Sequence, residues 1–363
     1  METRIRERLR DLAEEAPTGR TLPATVRRRA RRRIGVTLAV GVVVVAAAAL
    51  GVSQGLRLIS ERPARPARQQ DARVFAPGRI AVGGFERIVA VDPADPTATE
   101  DLSLVTNVGQ SPVDWSEDGS MLLIARSPFG GVEAPAVELL VHYADGSEEV
   151  LVEGQGILGG SFSPDGTQVV FARAGEGPEG EPVDSLFVVP VGGGTPRRIE
   201  DGGEYPAWSH PVWSPDGERI YYFGVFRDGA DDAPGLAWTN ADGSGDGFLV
   251  GDLLLPEVEG GTAGLAWSPD GARLAFAGIS EAGHRAVYVV NADGTGLTEL
   301  IGSDDERYGW PTWSPDGSRI AFVAGKRLMT MNADGTDVRE LATARELGTA
   351  PVRGRIAWNP VAA

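Results

Sequence analysis

From Ile80 onward, short apolar runs alternate with clusters of Pro, Gly, Asp and Ser: MLLIAR from Met121, VVFAR from Val169, RIYYFG from Arg219, RLAFAG from Arg273 and RIAFVA from Arg319. The runs are nearly continuous in apolar residues, which is the pattern of a strand covered on both faces by other sheets. A fixed phrase precedes each run: WSEDG from Trp115, FSPDG from Phe162, and WSPDG from Trp213, Trp267 and Trp313, with a truncated WNP from Trp358. The six phrases follow at intervals of 47, 51, 54, 46 and 45 residues. A second turn phrase recurs further on, YADG from Tyr143 and NADG from Asn240, Asn291 and Asn332, with VGGG from Val191 as a looser version. Ser-Pro-Asp-Gly suits a type I turn between antiparallel strands, and Asn-Ala-Asp-Gly can do the same. Each unit therefore predicts two tight hairpins and four strands, the length of a propeller blade.

The two ends of this region complete the count. Residues 79–105 read as the last three strands of a unit that lacks its Trp strand, and RIAWNP near the C-terminus reads as a Trp strand without the rest. Joined, they make a sixth blade and leave no half-built sheet edge. The expected fold is an all-β six-bladed β-propeller of four-stranded antiparallel blades over residues 78–363, closed by pairing both chain ends.

The WSPDG and NADG phrases resemble the WD40-like (PD40) propeller repeats of the TolB family, over five full units and the split sixth. The resemblance implies the fold; a fold does not by itself fix a function. TolB-like periplasmic proteins carry a separate N-terminal α/β domain, and this chain departs from that pattern ahead of residue 78.

Residues 34–52 (IGVTLAVGVVVVAAAALGV) contain no charge, and the uncharged stretch runs on through Leu56. At about 1.5 Å per residue, 19 helical residues reach roughly 28 Å, enough to cross a bilayer core. Arg27, Arg28, Arg29, Arg31, Arg32 and Arg33 stand just before it, so the N-terminus is expected inside the cell and the propeller outside. The organisation reads as a basic cytoplasmic tail (1–33), a transmembrane helix (34–56), a Pro-containing stalk (57–77) and the propeller. A cleaved signal peptide is the alternative, since Ala46–Ala49 offer small residues, although the preceding region is long for one. Ile5, Leu9 and Leu12 fall at helical spacing in the tail, as a solvated helix or one that docks on a cytoplasmic partner.

Charge divides at the same place. Residues 1–73 carry 16 Arg against 7 acids, net +9, and residues 74–363 carry 18 basic against 44 acidic side chains, net −26. The acidic part disfavours nucleic-acid binding. The single lysine, Lys326, among 33 arginines reads as the mark of a GC-rich bacterial genome. There is no cysteine, so disulfides and thiolate chemistry are excluded.

No Gly-x-Ser-x-Gly nucleophile elbow occurs, and ring closure leaves no residues for a hydrolase domain, so the expectation is a chain that is not an enzyme, with no catalytic residue and no cofactor. His142, His210 and His284 lack zinc-site spacing, and Asp242, Asp293 and Asp334 read as turn residues, so no metal is expected. The Trp repeats read as packing between blades.

In an up-and-down blade, the first and third connections share one face of the ring; the middle loop and the inter-blade link share the other. The repetitive turns occupy the first face, and the variable segments gather on the second. These carry Glu176, Glu204, Asp231, Asp304 and Asp305 with Tyr205, Trp208, Tyr308 and Trp310. This rim is the candidate site for a protein, peptide or glycan, cationic partners being favoured. Two functions stay open: an anchored extracytoplasmic binding module, or an anti-sigma-like transmembrane regulator whose tail binds a cytoplasmic partner.

Overall fold

The computed structural model describes residues 75–83, 87–103, 108–128, 137–176, 182–200, 211–228, 231–250, 264–279, 284–348 and 355–361. Among the described residues, twenty-four strands form six four-stranded antiparallel sheets. The first three are β1 (Ile80–Gly83), β2 (Ile88–Val91) and β3 (Thr99–Asp101). Blade I follows as β4 (Val108–Trp115), β5 (Met121–Pro128), β6 (Val137–Tyr143) and β7 (Glu148–Gly154). Blade II is β8 (Ile157–Phe162), β9 (Gln168–Glu176), β10 (Pro182–Pro190) and β11 (Arg197–Glu200). Blade III is β12 (Val212–Trp213), β13 (Arg219–Asp228), β14 (Asp231–Asn240) and β15 (Asp246–Val250). Blade IV is β16 (Leu265–Trp267), β17 (Arg273–Ile279), β18 (Arg285–Asn291) and β19 (Thr298–Ser303). Blade V is β20 (Tyr308–Trp313), β21 (Arg319–Ala324), β22 (Arg327–Asn332) and β23 (Arg339–Thr343). The last strand, β24 (Ile356–Trp358), pairs with β1, so blade VI reads β24-β1-β2-β3 and the two ends of the region close the ring as the repeat pattern predicts.

The turn chemistry explains why the repeats fold alike. At Ser116, Ser163, Ser214, Ser268 and Ser314, the carbonyl accepts the N–H of the Gly three residues on. Those glycines sit at φ 66–72°, where L side chains are strained. The same serine hydroxyls donate to the turn aspartates at 2.5–2.7 Å and accept the first N–H of the next strand.

The core lies in six seams between blades. Each apolar cluster draws residues from two neighbouring sheets, for example Leu123, Leu139 and Val141 of blade I with Val169, Phe171 and Val189 of blade II. That is why the second strands carry unbroken apolar runs: Leu122 and Ile124 face the seam with blade VI, Leu123 faces the seam with blade II, and all are buried. Trp115, Trp213, Trp267, Trp313 and Trp358, with Phe162, each pack into the seam with the preceding blade. The indole N–H of Trp115 donates to Ala357 O (3.0 Å) and that of Trp313 to Ala266 O (3.1 Å).

The expected tail (1–33), transmembrane helix (34–56) and nearly all of the stalk fall outside the described residues. Among the described residues, no helix is long and apolar enough to cross a membrane. Phe75, at the end of the stalk, packs edge-on against Trp115 (4.9 Å) and donates its backbone N–H to Gly119 O. The chain thus reaches the propeller on the face of the Ser-x-Asp-Gly turns.

Candidate binding face

On the turn face the acids serve their own turns. The serine hydroxyl, followed by a backbone N–H two residues on, holds Asp165, Asp216 and Asp270 below the usual carboxylate range. Thr336 does the same for Asp334 through its side chain and backbone. These carboxylates are ionised and already hydrogen-bonded by groups of their own hairpin.

The opposite face carries the rim residues. Glu204, Tyr205 and Trp208 lie outside the described residues. Glu176 ends β9 and Asp231 begins β14, both at the strand ends that approach this face. Asp304 and Asp305 lie in the link between β19 and β20, and Tyr308 and Trp310 belong to β20 itself. The structure therefore brings Asp304, Asp305, Tyr308 and Trp310 together at blade V.

Asp304 is a partner of His284, a residue whose sequence spacing marks nothing beyond an ordinary surface or packing position. The His284 Nδ1 stands 2.7 Å from Asp304 Oδ1 and its Nε2 3.1 Å from Glu299 Oε1. The Asp304 hydrogen bond and then that of Glu299 raise the imidazole's pKa. Arg285 also donates to Asp304 O at 3.2 Å. Sequence spacing hides this trio because the β18–β19 register creates it, setting Arg285 opposite Ser303 and so His284 beside the following link. The link continues into Glu306, whose Oε2 accepts Arg327 Nη2 at 2.6 Å, while Arg307 O accepts Gly325 N–H at 2.9 Å. These bonds fix residues 304–307 against the β21–β22 hairpin. Among the described residues, no group of His, Asp and Glu is placed to hold a metal ion.

The two aromatics behave differently from exposed anchors. Tyr308 is half-buried, and burial pushes its phenol pKa up. Trp310 is only 7% exposed and packs in the seam of blades V and VI with Val82, Val323, Leu328 and Ile356. It sits where the β20–β21 register shifts between Gly309 and Thr312, at φ 53°. The physical reason for its burial is that both sides of an inner strand face neighbouring blades. Over its ring lies the guanidinium of Arg355, 5.3 Å from the centroid. Arg355 was not singled out from sequence. The available signal was its offset, three residues before Trp358, as Trp310 is three before Trp313.

No protein-family model matches the chain, and no curated protein matches it. Solved structures do match. A protein described as a TolB from Agrobacterium tumefaciens is 22% identical, over 74% of this chain and 90% of that one, with a TM-score of 0.51. A chain of the nidogen/laminin complex is 13% identical over 77% and 98%, with a TM-score of 0.54. A puromycin-hydrolyzing peptidase from Mycobacterium tuberculosis is 16% identical over 77% of this chain and 45% of that one, with a TM-score of 0.51. At these identities the likeness shows a fold shared with TolB-like propellers. The last match corrects the expectation that the chain is not an enzyme. The same propeller fold is part of a peptidase, so neither the fold nor a missing nucleophile elbow sets this chain apart from enzymes.

Proposed function

We propose that the propeller is a protein-binding module, held outside the cell by an N-terminal membrane helix at residues 34–56. The observation that carries the binding reading is the contrast between the two faces. One is built of near-identical turns whose acids are spent on their own hairpins. On the other, segment 303–308 differs from the other links and is fixed by ion pairs to His284 of blade IV and Arg327 of blade V. A rigid scaffold that carries varied loops on one face is a common way to build a recognition surface. The match to a chain of the nidogen/laminin complex, a propeller solved with a protein partner, supports the same reading. The uncharged run behind a cluster of arginines supports the anchor.

The test uses intact cells with a tag at each end and a photo-crosslinking residue at Asp305. Protease should remove the C-terminal tag and spare the N-terminal one, and irradiation should give a discrete crosslinked protein that a crosslinker at Asp316, on the turn face, does not give. A protected C-terminal tag would sink the topology. Equal crosslinking from both faces would sink the binding face. The basic tail favours one further reading, in which residues 1–33 engage a cytoplasmic partner; deleting residues 2–15 should then change the cell's response while leaving the outer crosslink intact.

A further inference from the structure

Residues 75–79 fasten the seam where the ring closes. Phe75 N–H donates to Gly119 O in the β4–β5 turn at 3.3 Å, Gly78 O accepts the Trp358 indole N–H at 2.8 Å, and Arg79 O accepts the Asn359 N–H at 2.8 Å. Gly119 is itself confined, since a Cβ there would stand 2.6 Å from Val361 Cγ2 and 2.8 Å from Asn359 Oδ1. Three stretches far apart in sequence, 75–79, 115–119 and 357–361, thus meet at the turn-face end of one seam. The Phe75 ring covers that end, half-buried against the cluster that contains Trp115, Leu122, Leu140 and Ala357.

One titratable side chain lies against it. The ring of His142, in β6, is 5.4 Å from that of Phe75, centroid to centroid, and the residue is only 8% exposed. Its Nδ1 is buried with no hydrogen-bond partner. A neutral imidazole can leave its unprotonated nitrogen there; an imidazolium carries N–H on both nitrogens, and the one at Nδ1 would have no acceptor in the seam. Among the described residues, the charged groups acting on the ring are Glu148, opposite it in β7, and Asp145 in the β6–β7 turn, and both favour a proton. Arg126 of β5 offsets Glu148, donating to it at 2.9 Å, and Ser147 N–H donates to Asp145. On the other sides, β5 sets Leu122 opposite the ring, the stalk end supplies Phe75, and Asp118 of the β4–β5 turn is taken up by Ser116 and Ser120. Burial outweighs the two acids and lowers the imidazole below its usual 6.5.

We propose that Phe75 is a proton-released clasp: while His142 is neutral the Phe75 ring docks on it and on Trp115, and protonation of His142 frees this end of the stalk from the turn face. Undocking admits water to the imidazole, so the undocked state takes up a proton more readily, and each proton bound favours the open clasp. The clasp is complete above the ordinary histidine value and loosens as pH falls from 6.5 through the lower docked value. It governs how firmly the propeller is joined to the chain that carries it, a consequence that rests on the anchored reading above.

Hydrogen exchange of the full-length protein tests this, read by mass spectrometry on peptic fragments and corrected for the intrinsic pH dependence of amide exchange. Between pH 7.5 and pH 5, protection of the fragment that holds Phe75 should fall by about threefold or more relative to the fragment that holds Ile124, in the core of the same seam. His142→Leu should abolish that fall. By reciprocity, Phe75→Ala should raise the His142 midpoint, followed by NMR, toward 6.5. The exchange measurement on the unaltered protein needs no variant to fold. A parallel fall in both fragments, a relative protection that stays level with pH, or a His142 midpoint that Phe75→Ala leaves unmoved would each overturn the proposal. None of these readouts uses the loop-face crosslink from Asp305, so the clasp and the binding module can fail separately.

Discussion

Replacing Asp114 with asparagine removes a charge that the fold opposes. The Asp114 Oδ2 accepts the N–H of Phe162 at 2.9 Å across the seam of blades I and II. Burial outweighs this bond and a second from Trp115 N–H, and raises the carboxyl from 3.8 to about 7. A shift of that size corresponds to about 4 kcal/mol against the ionised form, which partial solvent access trims to about 2–4 kcal/mol. The direction is opposite to that of a salt-bridged carboxylate. Between 3.8 and about 7 the unfolded chain has lost this proton and the folded chain still holds it, so this group's contribution to stability falls as pH rises through that window and is level above it. The amide introduced by Asp114→Asn keeps an acceptor for Phe162 N–H and does not titrate. Urea unfolding of the full-length protein and the variant, run from pH 4 to pH 8, should show the variant gaining about 2–4 kcal/mol on the wild type across the window. Taking the difference cancels the turn aspartates, whose lowered pKa values act with the opposite sign in both proteins. A difference that stays level with pH would refute the placement of an uncompensated carboxyl in the seam.

Three further outcomes follow from the same geometry. Trp358→Ala removes the indole that fills the V–VI seam and donates to Gly78 O at 2.8 Å, and should cost about 3–5 kcal/mol in thermal or urea unfolding. Gly335→Ala meets both a left-handed backbone (φ 84°) and Leu300 O at 2.8 Å, whereas Gly146→Ala meets the same backbone (φ 84°) with open space; the first should lower the melting temperature more, and equal losses would leave the clash without effect. The His284 imidazole should titrate above its usual range by NMR. Its ion pairs are complete below the unfolded value of 6.5 and are lost as pH rises through the folded midpoint, and Asp304→Asn should lower that midpoint.

The architecture was legible because a propeller repeats its local chemistry. One phrase encodes an inner-strand Trp for the seam, a serine that bonds its own turn and a glycine for a positive φ, and each copy can be checked against the next. The split blade was legible for the same reason, since residues 80–101 and 356–358 are the complementary parts of one unit. The rim was legible only as a set of variable segments. Trp310 stood among residues expected at the surface because it follows the acidic stretch GSDDERYGW. The β20 bulge, the approach of Gly264 and the seam with blade VI, which together bury it, are contacts between distant segments and leave no local pattern.

Repetition also indicates where to look for what is particular to this ring. At the serine of the turn, five units carry the same residue, because all five turns need the same hydroxyl. Three residues before each inner-strand aromatic, the six units carry Pro112, Gly159, His210, Gly264, Trp310 and Arg355, and no single packing requirement accounts for that series. A closed ring of like blades has no structural need for such variety at one position of the repeat. Two adjacent members of the series meet, the Arg355 guanidinium carbon lying over the Trp310 ring at 5.3 Å from its centroid, and a third, Gly264, leaves the room that Trp310 occupies. The departure from repetition is thus concerted across neighbouring blades. That is the pattern expected when neighbouring blades are packed around one particular pair of side chains and not around the repeat.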